Sequence, residues 1–203
     1  MIASLNRLRR AAARRLLHAL AFRIVFGEKS QGRELPMTRI SPSTCIDSED
    51  KLVLADHVYI GPFNVIEASH GVMIDEGVQI TSHCAIVTHS SHRAQRLLGR
   101  EFVHWMDERP GWVSGPVHIG AYSFIGPHSV LEAGCTLGRG CLVRAGSVVR
   151  GTFADFAVIA GNPAQVVGDT RDADERFFAA HPELAQVLGP LRAAWAGARE
   201  PAR

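Results

Sequence analysis

The chain has 203 residues, a hydrophobic fraction of 46% and a net charge of +2 that balances 22 basic against 20 acidic side chains. This length and hydrophobic content suit one domain with its own core and additional segments at its ends. The balanced charge gives no support for nucleic acid as a partner. The four cysteines lack both the C-x-x-C spacing of zinc sites and the density of secreted disulfide scaffolds, which favours a reduced, cytoplasmic protein.

The N-terminal segment, residues 1–37, predicts an amphipathic helix followed by a linker. Leucines stand at positions 5, 8, 16 and 20, and six arginines crowd the first 25 residues. Its apolar stretch LLHALAF is far shorter than the roughly 20 residues of a membrane span, and no small-residue cleavage site follows it. Two interpretations remain open: a cap over one end of the next domain, and a helix that rests on an anionic membrane surface.

Residues 38–168 carry a six-residue repeat. An aliphatic residue recurs at every sixth position, at Ile119, Ile125, Leu131, Leu137, Val143 and Val149. Small residues stand four positions after the first five of these, at Ser123, Ser129, Cys135, Cys141 and Ser147. Upstream the spacing continues with two-residue insertions, so that Ile40, Ile60 and Ile80 fall one twenty-residue turn apart, as do Ile46, Ile66 and Ile86.

A period of six fits neither an α-helix nor a long β alternation. It is typical of an all-β solenoid with three short strands per coil, whose aliphatic side chains point inward. We expect Cys45, Cys84, Cys135 and Cys141 to be small core residues rather than metal ligands. We expect the glycines that follow the aliphatic positions to supply a permissive backbone at the corners.

The repeat stops after Ile86 and resumes in phase at Val117, which predicts one long inserted loop over residues 91–116. Such loops in compact domains are commonly lids or binding loops. His89 and His92 lie at the root of this loop. An imidazole titrates near neutral pH, so either histidine is a candidate general base that takes a proton from a hydroxyl.

The last segment, residues 169–203, predicts a C-terminal helical segment. Pro182 suits the first turn of the stretch PELAQVLGPLRAAWAG. Because an open end of a repeat stack exposes core and strand edges, we expect these helices to act as a cap as well.

The hexads, the inserted loop and the stretch VIAGNPAQVVG at 158–168 resemble the hexapeptide-repeat acyltransferases, in particular those that O-acetylate sugars of bacterial surface polysaccharides. The resemblance covers about residues 38–168, and AGNPA followed by an aliphatic pair is its most specific part. It implies a left-handed parallel β-helix with flanking N- and C-terminal helices, a homotrimer, and acetyl-CoA as cosubstrate without a metal. It also implies direct transfer to a hydroxyl, with a histidine as the base and backbone amides that stabilise the oxyanion.

The resemblance also implies roles for individual residues. The stretch THSSH is similar to those in which these enzymes carry their base, so His89 is the preferred candidate and His92 the alternative. The pantetheine arm and phosphates of acetyl-CoA are expected at Gly126, Arg144, Ala145, Ser147 and Arg150, since phosphates need positive charge. Contacts to the acceptor are expected from Asn64, His104 and Trp105.

The function implied is O-acetylation of a sugar hydroxyl in the biosynthesis of lipopolysaccharide O-antigen, capsule or exopolysaccharide. An N-acetyltransferase of an amino-sugar nucleotide is the main alternative, because an amine acceptor also needs a base. A non-enzymatic β-helix scaffold would need neither the loop rooted at histidines nor the AGNPA stretch. A γ-class carbonic anhydrase would need a second histidine where GPHSVLEAGC has alanine. The expected location is the cytoplasm, at the inner face of the membrane if the N-terminal helix binds lipid.

Overall fold

Short parallel strands wind into a three-sided helix in the computed structural model, which describes residues 2–105 and 110–196, with side chains described from residue 6 onward. Helix α1 (Ile2–Leu17) continues as a π-helical turn (His18–Phe22) and leads to an antiparallel hairpin of β1 (Glu28–Ser30) and β2 (Arg33–Leu35). Five coils of parallel strands follow. No helix among the described residues is long and apolar enough to cross a bilayer.

Each coil contributes one strand to each of three sheets. The first sheet contains β3 (Arg39–Ile40), β6 (Tyr59–Ile60), β9 (Gln79–Ile80), β14 (Phe124–Ile125), β17 (Leu142–Val143) and β20 (Ala157–Gly161). The second contains β4 (Cys45–Asp47), β7 (Val65–Glu67), β10 (Ala85–Val87), β15 (Val130–Leu131) and β18 (Val148–Val149). The third contains β5 (Leu52–Leu54), β8 (Val72–Ile74), β13 (Val117–Ile119), β16 (Thr136–Leu137) and β19 (Thr152–Phe153).

The inserted loop leaves the third coil between β10 and β13. Its root is an antiparallel ribbon of β11 (His89–Ser90) and β12 (Val113–Ser114). Helix α2 (His92–Leu98) and a 3-10 turn (Gly99–His104) follow the first ribbon strand. The loop therefore has secondary structure of its own and begins at the corner between the second and third sheets.

The hexads form the core, as the sequence predicts. All six aliphatic residues from Ile119 to Val149 are fully buried, and the five small residues that follow them at the fourth position are buried too. Ile40 and Ile46, in the first coil, are only partly buried. Cys84, Cys135 and Cys141 are core residues, but the expectation for Cys45 is wrong: it points outward from β4 and is exposed.

The glycines after the aliphatic positions act through their lack of a side chain rather than through a left-handed backbone. A Cβ on Gly126 would lie 2.6 Å from the amide nitrogen of Ala145 and 2.8 Å from the carbonyl oxygen of Val143, both in the next coil. The left-handed corner positions fall two residues later, at His128 for example. The expected permissive backbone therefore belongs to different residues, and the glycines allow close stacking of coils.

The hairpin of β1 and β2 covers the N-terminal end of the core. Leu35 is 1% exposed, and Ser30 Oγ accepts a hydrogen bond from the amide of Leu54 at 2.9 Å. Residues 6–20 of the first helix are all exposed. A strand pair that satisfies backbone groups of the first coil takes the place that the cap interpretation gave to this helix.

The C-terminal end is closed by β21 (Ala164–Asp169), which returns antiparallel to β20. Helices α3 (Thr170–Ala180) and α4 (Pro182–Ala196) then pack at the corner between the third and first sheets. There Trp195 lies against Tyr122, with ring centroids 4.6 Å apart, and Thr170 Oγ1 donates to the carbonyl of Gly140 at 3.0 Å. The Asp169 side chain accepts from the amide of Arg171 and so caps α3.

Candidate active site

His89 forms a hydrogen-bonded pair with a carboxylate at the root of the loop. Its Nδ1 lies 2.9 Å from Oε2 of Glu67, which ends β7 in the preceding coil, and 3.2 Å from Oγ of Ser69. The His89 side chain is 30% exposed and that of Glu67 is 15% exposed. Because Nδ1 faces a carboxylate, the network assigns the proton to Nδ1 and leaves Nε2 as the basic nitrogen.

Glu67 stays ionised at neutral pH. Burial alone would raise the pKa of this carboxyl group, but hydrogen bonds from Ser69 and Thr88 outweigh it and lower the pKa to about 2. The Ser69 amide donates to Oε1 at 2.8 Å, while the Thr88 amide and hydroxyl donate to Oε2 at 3.0 and 2.8 Å. The carboxylate can therefore orient the imidazole and stabilise its protonated form.

The ring of His89 is also held on its face. The indole of Trp112 stacks on it with ring centroids 4.7 Å apart and an interplanar angle of 11°. The ribbon fixes both partners, since His89 pairs with Ser114 and the Gly115 amide donates to the Thr88 carbonyl at 3.0 Å. Carboxylate and indole together fix the orientation of the imidazole before any substrate binds.

Sequence reasoning missed Glu67, Ser69, Thr88 and Trp112. The signal for the first two was the twenty-residue turn itself, which stacks Ile66 beside Ile86 and Glu67 beside Val87 in parallel register. That register also sets Ser69 one coil below His89. Trp112 carried no comparable signal, because it reaches the histidine through the ribbon, and the hexads do not describe that element.

His92, the alternative base, lies in a different environment. It is the first residue of α2, its side chain is exposed, and its Nδ1 lies 2.7 Å from Oγ of Ser90. The Glu67 carboxylate and the Trp112 indole contact His89. The geometry therefore distinguishes two histidines that the sequence left open.

His104 and Trp105 lie farther along the same loop. His104 ends the 3-10 turn and is exposed, and Trp105 follows it with 43% exposure. Phe102 of this turn stacks with Trp112 at a centroid distance of 6.4 Å, so the turn is linked to the aromatic neighbour of His89. His104 and Trp105 remain candidates for contact with an acceptor.

Asn64, expected to contact the acceptor, is buried in this structure. Its side chain is 1% exposed and lies at the corner between the first and second sheets. Nδ2 donates to the carbonyls of Gly61 and Thr81, and Oδ1 accepts from the amide of Cys84 at 2.7 Å. The amide group is thus engaged by buried backbone of two successive coils, which makes it a structural corner residue.

The five candidates for cofactor binding divide between two corners. Gly126, Arg144, Ala145 and Ser147 lie at the corner between the first and second sheets, whereas Arg150 follows β18 at the corner shared with the loop. Gly126 and Ser147 are buried, and the Ser147 hydroxyl donates to the carbonyl of Arg144. Gly126 and Ser147 therefore pack inside the corner, whereas Arg144, Ala145 and Arg150 are exposed.

A second pair of histidine and carboxylate lies on the outer face of the third sheet. His118 Nε2 is 2.9 Å from Asp75 Oδ2, with side chains 40% and 38% exposed. Over residues 2–105 and 110–196 no three histidine, cysteine, aspartate or glutamate side chains gather as a metal site. The Glu67–His89 pair is more shielded from solvent than His118–Asp75.

Comparison with known proteins bears on the same part of the chain. Residues 116–151 match the family model described as bacterial transferase hexapeptide (six repeats). A protein named as a probable acetyltransferase, from Mycobacterium tuberculosis strain H37Rv, is 30% identical over 149 residues, which are 70% of this chain and 45% of that protein. The chain thus spans less than half the length of this curated relative.

Two solved structures share the fold. A hexapeptide-repeat acetyltransferase from Vibrio cholerae O1 biovar eltor, solved with acetyl coenzyme A, superposes with a TM-score of 0.54 at 22% identity, covering 65% of this chain and 67% of that one. A galactoside acetyltransferase in complex with coenzyme A gives a TM-score of 0.51 at 22% identity, covering 67% and 63%. The predicted left-handed parallel β-helix with flanking helices is confirmed.

Proposed function

Because residues 116–151 match the family model of bacterial transferase hexapeptide repeats, we propose that the chain is an O-acetyltransferase that moves an acetyl group from acetyl-CoA to a sugar hydroxyl. One observation carries the proposal: at the root of the loop an ionised carboxylate holds Nδ1 of His89, so that Nε2 is the basic nitrogen. Direct acyl transfer to a hydroxyl needs such a base, because the neutral hydroxyl is a weak nucleophile.

In the proposed reaction, His89 Nε2 takes the proton of the acceptor hydroxyl. The acceptor oxygen then forms a bond to the acetyl carbonyl carbon, and the bond from that carbon to sulfur breaks. His89 returns its proton to the departing thiolate, so that the imidazole is neutral again after each turnover. Glu67 stabilises the imidazolium that exists between these steps.

Acetyl-CoA supplies the acetyl group as an activated thioester. The exposed guanidinium groups of Arg144 and Arg150 suit its phosphates, and the exposed corner at Ala145 suits the amides of its pantetheine arm. Arg150 lies on the same corner as the loop, where its Nε is 4.0 Å from Oε2 of Glu132. We assign phosphate binding to these two arginines and acceptor contacts to His104 and Trp105.

We further propose that the acceptor is a glycan of the bacterial surface, as in O-antigen, capsule or exopolysaccharide, and that the protein works as a homotrimer in the cytoplasm. The support is the resemblance of residues 38–168 to sugar O-acetyltransferases of that kind. Light scattering on the purified protein measures the mass and tests the trimer.

The activity is tested by incubation of the protein with acetyl-CoA and a panel of sugars and amino sugars, with release of free thiol as the readout. Mass spectrometry identifies the product, and hydroxylamine treatment separates an ester, which is cleaved, from an amide, which survives. We expect an ester on a sugar hydroxyl. An amide product would instead identify an N-acetyltransferase, and no acetylated product from any acceptor would contradict the enzyme assignment.

A further inference from the structure

The first helix has an apolar face that nothing in the described chain covers. Leu8, Leu16 and Leu20 are 69%, 61% and 69% exposed. The hairpin that follows the helix covers the end of the β-helix, so the helix is not required as a cap. Large exposed apolar patches on a soluble protein commonly mark an interaction site.

Three of the arginines lie on the side of this helix opposite its leucine stripe, whereas Arg9 and Arg15 lie within or beside that stripe. Leu8, Ala12 and Leu16 are spaced four residues apart and form one stripe. Arg7, Arg10 and Arg14, which are spaced three and four residues apart, form another stripe on the other side. All of these side chains are exposed, so both stripes are available to a partner.

The charge of this segment has a single sign. Its six arginines, Arg7, Arg9, Arg10, Arg14, Arg15 and Arg23, meet no acidic residue before Glu28. A surface that complements it must be densely anionic and must also accept leucine side chains. A bilayer that contains anionic phospholipid offers both, with phosphates at the level of the arginines and acyl chains beneath the leucines.

Aromatic contacts attach the end of the helix to the β-helix. The ring of Phe22 meets that of Phe63 edge-on, with centroids 5.4 Å apart. The guanidinium of Arg39 lies over the ring of Phe26 at 4.8 Å. A helix that is anchored at one end and free along its length can lie in a membrane surface without disturbing the β-helix.

We propose that residues 6–22 dock the protein on an anionic lipid bilayer, with the leucine stripe in the acyl boundary and the arginine stripe at the phosphates. The helix lies in the plane of the surface and does not cross it, consistent with its length and charge. This proposal rests on the helix alone and holds whether or not the transferase assignment is correct.

The test is flotation of the purified full-length protein with vesicles of phosphatidylcholine alone or mixed with phosphatidylglycerol. We expect binding to the mixed vesicles, weakened by salt, and little binding to phosphatidylcholine. Each arginine near an anionic surface contributes about fivefold to the binding constant, so the triple change R7Q, R10Q, R14Q should weaken binding about a hundredfold. Leu16→Glu together with Leu20→Glu should abolish it.

The matched control is Val187→Glu together with Leu191→Glu on α4, two residues that are each 63% exposed. These changes add the same charge outside the first helix and should leave flotation unchanged. Light scattering on all variants completes the experiment. Equal flotation with both vesicle types would overturn the proposal. So would unchanged flotation of the Leu16 and Leu20 variant, or a fall in its oligomeric mass, which would assign the leucine face to a second copy of the chain.

Discussion

Replacing Glu67 with glutamine should slow acetyl transfer about tenfold to a hundredfold. The substitution keeps the shape of the side chain and removes the charge that faces His89 Nδ1 at 2.9 Å. A hydrogen bond to a charged group contributes about 1.5–3 kcal/mol. Each 1.36 kcal/mol changes a rate about tenfold, and the low exposure of both side chains, 30% and 15%, limits screening by solvent.

The assay measures kcat and KM separately by thiol release at saturating acceptor. In the proposed reaction the imidazolium forms only after His89 has taken the proton, so the loss should fall on kcat, with KM for acetyl-CoA nearly unchanged. Asp75→Asn is the matched control, since it removes the carboxylate of the His118 pair at the same distance. A Glu67→Gln enzyme with the kcat of the unchanged protein, or with an altered KM alone, would refute the role given to Glu67.

Three further predictions concern stability and reactivity. Gly126→Ala should destabilise the fold by about 1–3 kcal/mol in denaturant unfolding, because its Cβ would meet backbone of the next coil, whereas Gly189→Ala, with nothing within 4 Å, should not. The lowered pKa of Glu67 stabilises the fold above its ordinary value of 4.5, so the stability advantage over Glu67→Gln should shrink as pH falls from 4.5 towards 2; a constant difference would contradict this. Maleimide should label Cys45 alone in the folded chain, because burial raises the pKa of the other three thiols, and rapid labelling of all four would be inconsistent with the core.

The fold was predictable from the sequence because every coil buries aliphatic residues at the same positions of its repeat. Each aliphatic hexad position faces one common interior, so the period of six is visible without knowledge of any long-range contact. The segments at the two ends of the β-helix do not follow this repeat. The position of the hairpin, which contributes Leu35 to the core, and the exposure of the first helix depend on which segment pairs with the first coil, and composition alone does not reveal that.

The candidate site was predictable only in part. The break in the hexads located the loop and with it His89, but the two histidines of THSSH are distinguished by Glu67, which lies in the preceding coil. Asn64 and Ser147 look like ligand-binding residues in sequence, yet their polar groups bond to corner backbone. A polar residue at a corner of this fold often satisfies buried amides and carbonyls, so its type alone does not identify a binding residue.

The most direct test of the central claim compares His89→Ala with His92→Ala in the same transfer assay. If His89 is the general base, its removal should lower kcat by about 10²–10⁴-fold. His92→Ala, which changes an exposed side chain at the start of α2, should leave kcat unchanged. Full activity of the His89→Ala protein in a demonstrated transfer, or a loss confined to His92→Ala, would contradict the account.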